Sequence, residues 1–188
     1  LRFAATARKE LGVSTTFNFL GPLANPARPA AQAVGVADAR MAPLVAGVIA
    51  ARGQRGLVFH GDDGLDELTT TTASDVWLIA DGRVVQTRLD PTELGVTPVG
   101  REDLVGGDPA HNAGVVRAVL SGAPGPVRDI VALSAAAAQL AFAGPDLTAP
   151  LAGQFTAPLE RAYHAIDSGA AAGVLQTWVE ATRAAKQA

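Results

Sequence analysis

The densest run of chemistry-bearing side chains is His60-Gly61-Asp62-Asp63-Gly64-Leu65-Asp66-Glu67. It follows the apolar run Leu57-Val58-Phe59 and precedes Leu68 and the threonines Thr69 to Thr72. Four carboxylates in so short a stretch repel one another. A hard cation such as Mg²⁺ relieves that repulsion, because it takes carboxylate oxygens and bridges them to substrate phosphates. A solvated acidic turn without a ligand accounts for the same residues, and both readings stand at this level.

The elements around the acids say where they sit. An apolar run that stops at glycines predicts a buried strand, 56–60, ending in a loop. In open α/β sheets, ligands collect beyond the carboxyl ends of strands. Upstream, Gln32 to Val36 reads as a strand, and a helix to about Arg52 follows, with Asp38 as its cap and Gly53 after it. Strand, helix, strand is a βαβ unit with parallel strands. Downstream, Asp75 to Ala80 and Arg83 to Leu89 flank Asp81-Gly82, a favoured hairpin turn, and predict an antiparallel pair.

The remaining segments are helices and turns. Leu1 to Leu11 predicts a helix closed by Gly12, with Arg8 near its end, where a cation favours the helix dipole. Thr15 to Leu20 leads into Gly21-Pro22-Leu23-Ala24-Asn25-Pro26, a stretch dense in turn formers that predicts a loop. Asp108 and Pro109 suit the N-cap and first position of a helix to about Leu120. Pro126 to Ala143 is an alanine-rich helix. Helices over 156–166 and 170–184 are separated by Asp167-Ser168-Gly169. The fold class expected is α/β: a mixed, mostly parallel sheet flanked by helices, in a single domain over 1–188.

Composition narrows the function. Of 188 residues, 48% are hydrophobic and 18% charged, which supports a packed core and argues against disorder. A net charge of −3, scattered basic residues and only 5% aromatics do not suggest a basic face with interleaved rings, so nucleic acid is not an expected partner. The longest apolar run, Ile130 to Ala143, is shorter than the ~20 residues that span a bilayer, so no membrane partner is expected. With no cysteine, thiolate metal sites and disulfides are excluded; this fits a reducing cytoplasm. The phosphate loop GxxxxGK[ST], the dinucleotide fingerprint GxGxxG, the zinc helix HExxH and the nucleophile elbow GxSxG are all absent.

Five segments in register resemble the anthranilate phosphoribosyltransferase family. They are Arg8-Lys9-Glu10-Leu11-Gly12; Phe17-Asn18-Phe19-Leu20-Gly21-Pro22-Leu23 with Asn25-Pro26; His60-Gly61 with Asp63-Gly64-Leu65-Asp66-Glu67; Gly106-Gly107-Asp108-Pro109 with Asn112; and Ala165-Ile166-Asp167-Ser168-Gly169-Ala170. The phrase GVSTTFNFLGPLANPARP looks actinobacterial. The resemblance implies the phosphoribosyltransferase C-terminal α/β fold. It also implies displacement of pyrophosphate from phosphoribosyl pyrophosphate (PRPP) by the amine of anthranilate, the second step of tryptophan biosynthesis. By resemblance, Asp66 and Glu67 hold Mg²⁺ on the pyrophosphate, Arg8 grips the anthranilate carboxylate, and Gly21 and Pro22 line the anthranilate tunnel. No catalytic nucleophile is implied.

There are departures from the family pattern. Ala24 stands where a threonine is usual and Ser134 where an asparagine is usual. The family's N-terminal helical segment, GTGGD-type loop and Lys-His-Gly-Asn stretch are not among these residues, and the chain opens on Leu1. The expectation is therefore an incomplete domain of a longer two-domain protein, inactive alone, with the homodimer of the complete protein formed through the helical part. The competing readings are a pyrimidine nucleoside phosphorylase-like enzyme, which Arg8 and the Phe17 to Pro26 stretch argue against, and a non-catalytic binding module.

Overall fold

The computed structural model describes Glu10 and residues 17–187. Arg8 and the predicted helix over 1–11 lie outside the described residues, apart from Glu10, which is helical. Helix α1 (Phe17–Leu23) occupies part of the stretch whose turn formers predict a loop. Pro22 falls in its last turn, where its missing N–H forgoes one intrahelical bond, and Ala24 N–H still donates to Leu20 O at 2.9 Å.

Strands β1 (Ala31–Gly35), β2 (Arg55–Gly61), β3 (Ser74–Ala80) and β4 (Arg83–Leu89) form one sheet in the order β1-β2-β3-β4. Helix α2 (Ala42–Ala51) joins β1 to β2, and these two pair in parallel with Ala31 opposite Arg55 and Gly35 opposite Phe59. The expectation of a mostly parallel sheet is wrong: β2–β3 and β3–β4 are antiparallel. The reason lies in the connections. Residues 62–73 carry no crossover helix and return the chain directly beside β2, where Asp62 N–H donates to Ala73 O at 3.0 Å. Asp81 and Gly82, at φ 51° and 70°, make the tight turn between β3 and β4.

Period-2 alternation sends β2 and β3 residues to two cores. Leu57, Phe59, Val76 and Leu78 face helices α4 (Pro126–Ala143) and α5 (Leu151–Asp167), where they meet Leu133, Leu140 and Phe155. Val58, Trp77 and Ile79 face α2 and meet Val45 and Ile49. Each such burial contributes about 1.5–3 kcal/mol. Ala132, Ala136, Ala137 and Ala141 let α4 lie close to the sheet and to α5. By length and composition α4, at mean hydropathy 1.2, would pass as a membrane span, yet its apolar stripe is part of the core. Asp38 does not cap α2. It accepts from Arg40 N–H and pairs with the Arg40 guanidinium, while Met41 holds the N-cap without a side-chain bond.

Helix α3 (Pro109–Leu120) starts as its sequence predicts, with Asp108 Oδ1 accepting from His111 N–H at 2.8 Å. Asn112 closes the preceding turn by bonding both polar groups of Gly107, at 2.8 and 3.0 Å. Helix α6 (Ala170–Gln187) follows α5 after Gly169, whose φ of 78° turns the chain.

Candidate functional site: an acid pair at the end of β2

The four acids of the loop divide into two kinds. Asp62 pairs with Arg88 of β4, which also reaches Asp75 Oδ1 at 3.0 Å. Asp63 is consumed by the loop itself. Its Oδ1 accepts from Leu65 N–H at 3.0 Å, and its Oδ2 accepts from the Thr69 hydroxyl at 2.8 Å and from that of Thr71. Burial alone would raise the Asp63 carboxyl. The bonds from Thr71, Leu65 and Thr69, with the charge of Arg101, hold it below the usual carboxylate range. The carboxylate needs room that only glycine leaves: a Cβ at Gly61 would stand 2.5 Å from Asp63 Oδ1.

Asp66 and Glu67 are exposed and carry no cation partner among the described residues. Desolvation, then the neighbouring Asp66 charge, pushes the Glu67 carboxyl above its usual range, while a long 3.4 Å contact from the Ser134 hydroxyl opposes the shift. Glu67 is open to solvent as a residue, yet it lines a cleft with apolar walls. That cleft, about 340 Å³, is walled by Leu65, Leu104, Val105, Val127 and Ile130, with Arg101 also on its lining. Arg101 Nη1 donates to Asp63 O at 3.1 Å.

Two contacts dock this loop on the neighbouring strand. His60 Nδ1–H donates to Val36 O at 2.8 Å. The Asp66 carbonyl rests against Gly35 so closely that a Cβ there would lie 1.7 Å from the oxygen. The acids therefore sit beyond the carboxyl ends of β1 and β2, where sheet ligands collect.

Among the described residues no group of three or more His, Cys, Asp or Glu is placed to hold a metal. Two adjacent carboxylates, one carrying uncompensated repulsion, instead suit Mg²⁺ that arrives with phosphate oxygens, since that ion keeps one or two protein carboxylates and fills the rest with phosphate and water.

Gly21 and Pro22 are placed elsewhere. Both are exposed, and Pro22 lines a larger cavity of about 690 Å³ with Arg28, Gln32, Arg52 and Gln54. Those residues lie at the amino ends of β1 and β2, opposite the acids. The structure thus joins Asp66 to Glu67 and does not join either to Pro22. Sequence reasoning missed Arg101 and Gly35, and named Ser134 only as a departure from the family pattern. A lone serine within the alanines of α4 was the signal for Ser134; nothing local marks the other two.

Residues 1–172 match the glycosyl transferase family, a/b domain. The anthranilate phosphoribosyltransferase of Acidothermus cellulolyticus is 57% identical over 188 residues, covering 99% of this chain and 52% of the relative. That of Thermobifida fusca is 55% identical, covering 100% and 53%. Among solved structures, the anthranilate phosphoribosyltransferase of Thermus thermophilus superposes with a TM-score of 0.82 at 35% identity, over 95% of this chain and 51% of that one. The Saccharomyces cerevisiae enzyme in complex with PRPP and Mg superposes at 0.84 and 25% identity, over 96% and 51%. The chain spans about half the length of the curated relatives it matches. On the match of its sequence to that domain over most of its length, the chain belongs to the glycosyl transferase family.

Proposed function

We propose that this chain supplies the metal-binding half of an anthranilate phosphoribosyltransferase. The reaction forms a bond from the anthranilate nitrogen to the ribose anomeric carbon and breaks the bond from that carbon to pyrophosphate, which leaves with the electron pair. The nitrogen gives up a proton to solvent. The chemical demands are positioning of a weak amine and neutralisation of the leaving group. Magnesium, when bound, supplies that neutralisation, and Asp66 and Glu67 are the residues that would hold it. The observation that carries this reading is the acid pair beyond β2, which has no cation partner among the described residues, on a frame similar to that of a relative described with PRPP and Mg.

Arg8 is assigned the anthranilate carboxylate, a task suited to a planar guanidinium. For Gly21 and Pro22 the tunnel assignment rests on the family resemblance alone, since neither shares the acids' cleft. We place the protein in the cytoplasm and its homodimer contact in the part of the longer protein outside these residues.

The test is an assay of PRPP-dependent anthranilate consumption, run on this chain and on a longer protein that carries it. Mg²⁺-dependent release of pyrophosphate is expected from the longer protein, with none from this chain alone. Consumption of a nucleoside and phosphate in place of anthranilate and PRPP would overturn the reading.

A further inference from the structure

The acid pair is exposed on a loop, yet a metal site needs its ligands held to a fraction of an ångström. The loop is held from two sides. From beneath, the Asp66 carbonyl packs on Gly35 of β1, where a Cβ would lie 1.7 Å from the oxygen and 2.5 Å from its carbon. Cβ atoms are essentially never found under 3.0 Å from a neighbour, so any side chain at 35 must lift the Asp66 peptide or displace β1. Displacing β1 is opposed by its parallel register with β2 and by the Phe59 ring, 3.2 Å from the same point. Lifting the peptide moves Glu67 with it. From above, the Thr71 hydroxyl bonds Asp63, and Leu68 and Thr69 are fully buried, which keeps the loop down on that seat.

We propose that Gly35 is a positioning residue for Asp66 and Glu67: its missing side chain lets the Asp66 carbonyl seat on β1, and the Thr71–Asp63 bond holds the loop on that seat. This rests on the metal reading of the acid pair given above. Gly35 does not occupy a left-handed conformation, so alanine there acts through overlap rather than through backbone strain. Displacements of ~1 Å in a site are enough to cost large factors in function, and loss of a contact that orients a metal ligand costs about 10- to 100-fold in metal affinity.

The experiment measures Mn²⁺ binding to the full chain by water-proton relaxation, in the presence of inorganic pyrophosphate. Circular dichroism and a thermal melt report the fold. Wild type is expected to bind, and Asp66→Asn/Glu67→Gln to lose binding. If wild type does not bind, or the double variant binds as well as wild type, the metal reading itself is wrong and the proposal goes with it. Given those two controls, folded Gly35→Ala is expected to bind at least about 10-fold more weakly, while Gly47→Ala, whose Cβ meets nothing within 4 Å, is unchanged. Unchanged affinity in folded Gly35→Ala overturns the proposal. Should Gly35→Ala fail to fold, Thr71→Val decides: it keeps every charge and is expected to weaken binding, with Thr71→Ser restoring it. Wild-type affinity in Thr71→Val then overturns the proposal.

Discussion

Arg128, in the first turn of α4, donates from Nη2 to both carboxylate oxygens of Asp167, the last residue of α5, at 2.7 and 2.8 Å. The same guanidinium lies 4.7 Å over the Tyr163 ring, and the Tyr163 hydroxyl donates to Asp129 Oδ1 at 2.9 Å. Burial first, then the bond to Asp129 and its charge, pushes the phenol up to about 12. This cluster ties the start of α4 to the end of α5, and those two helices cover the sheet face whose strands lead to the acid pair. It also gives Asp167, within the Ala165 to Ala170 motif, a fastening role.

Asp167→Asn is accordingly expected to destabilise the fold without touching metal binding. The Arg128 side chain is 17% exposed and that of Asp167 52%, so solvent screens part of the pair. A loss of about 1–2 kcal/mol follows for a charge-assisted bond in that setting. Urea unfolding should show a lower midpoint at an unchanged slope; an unshifted midpoint would mean that the pair contributes nothing.

Asp63 gives a pH-dependent counterpart. Its carboxyl is held below the usual range in the folded chain, so its contribution is complete above the unfolded-state value, near 3.8, and is lost as pH falls through the lower folded value. Asp63→Asn should cost about 1.5–3 kcal/mol at pH 7, the range for bonds to a charged acceptor. The gap between variant and wild type should close in acid, below the usual carboxylate range. A gap of constant size from pH 7 to pH 3 would show that the charge is irrelevant and only the shape of the side chain matters.

Some of this was legible in the chain. Asp108-Pro109 starts α3 as read, because a cap and a fixed φ act on their own neighbours. Asp81-Gly82 turns the hairpin for the same local reason. The strand before the acids was legible from three apolar residues and a glycine. What was not legible depends on distant partners. The direction of β3 beside β2 is decided by where the chain returns after the loop, which no local pattern encodes. Gly35 reads as an unremarked strand residue until the Asp66 carbonyl, far along the chain, is seen resting on it. Arg101 likewise enters the site only through its bond to Asp63 O. Asp38 has the type and spacing of a cap, but Arg40, two residues on, competes for its carboxylate and wins.

For Arg8, the assignment is tested in the longer protein by Arg8→Ala. The expected result is a raised KM for anthranilate with the KM for PRPP little changed, since the lost interaction is with one substrate. A change of about 10- to 100-fold corresponds to a charge-assisted bond of ~1.5–3 kcal/mol. An unaltered anthranilate KM with a raised PRPP KM would place the arginine on the phosphate side instead.

Glu67→Gln should separate stability from function. In the folded chain the Glu67 carboxyl is raised by desolvation and by the Asp66 charge, so its ionised form is the less comfortable one. Wild-type stability on this account is intact below the unfolded-state value, near 4.5, and is lost as pH rises through the higher folded value. Removing the charge should therefore raise the melting temperature at pH 7, with the gain disappearing as pH is brought below 4.5. The same change takes away one of the two carboxylates proposed to hold the metal, so Mn²⁺ binding with pyrophosphate should fall as the fold becomes firmer. A residue kept at a cost to stability is what a binding site demands and a solvated turn does not. A variant that melts lower at pH 7, or that binds the metal as wild type does, would return the loop to the status of an ordinary acidic turn.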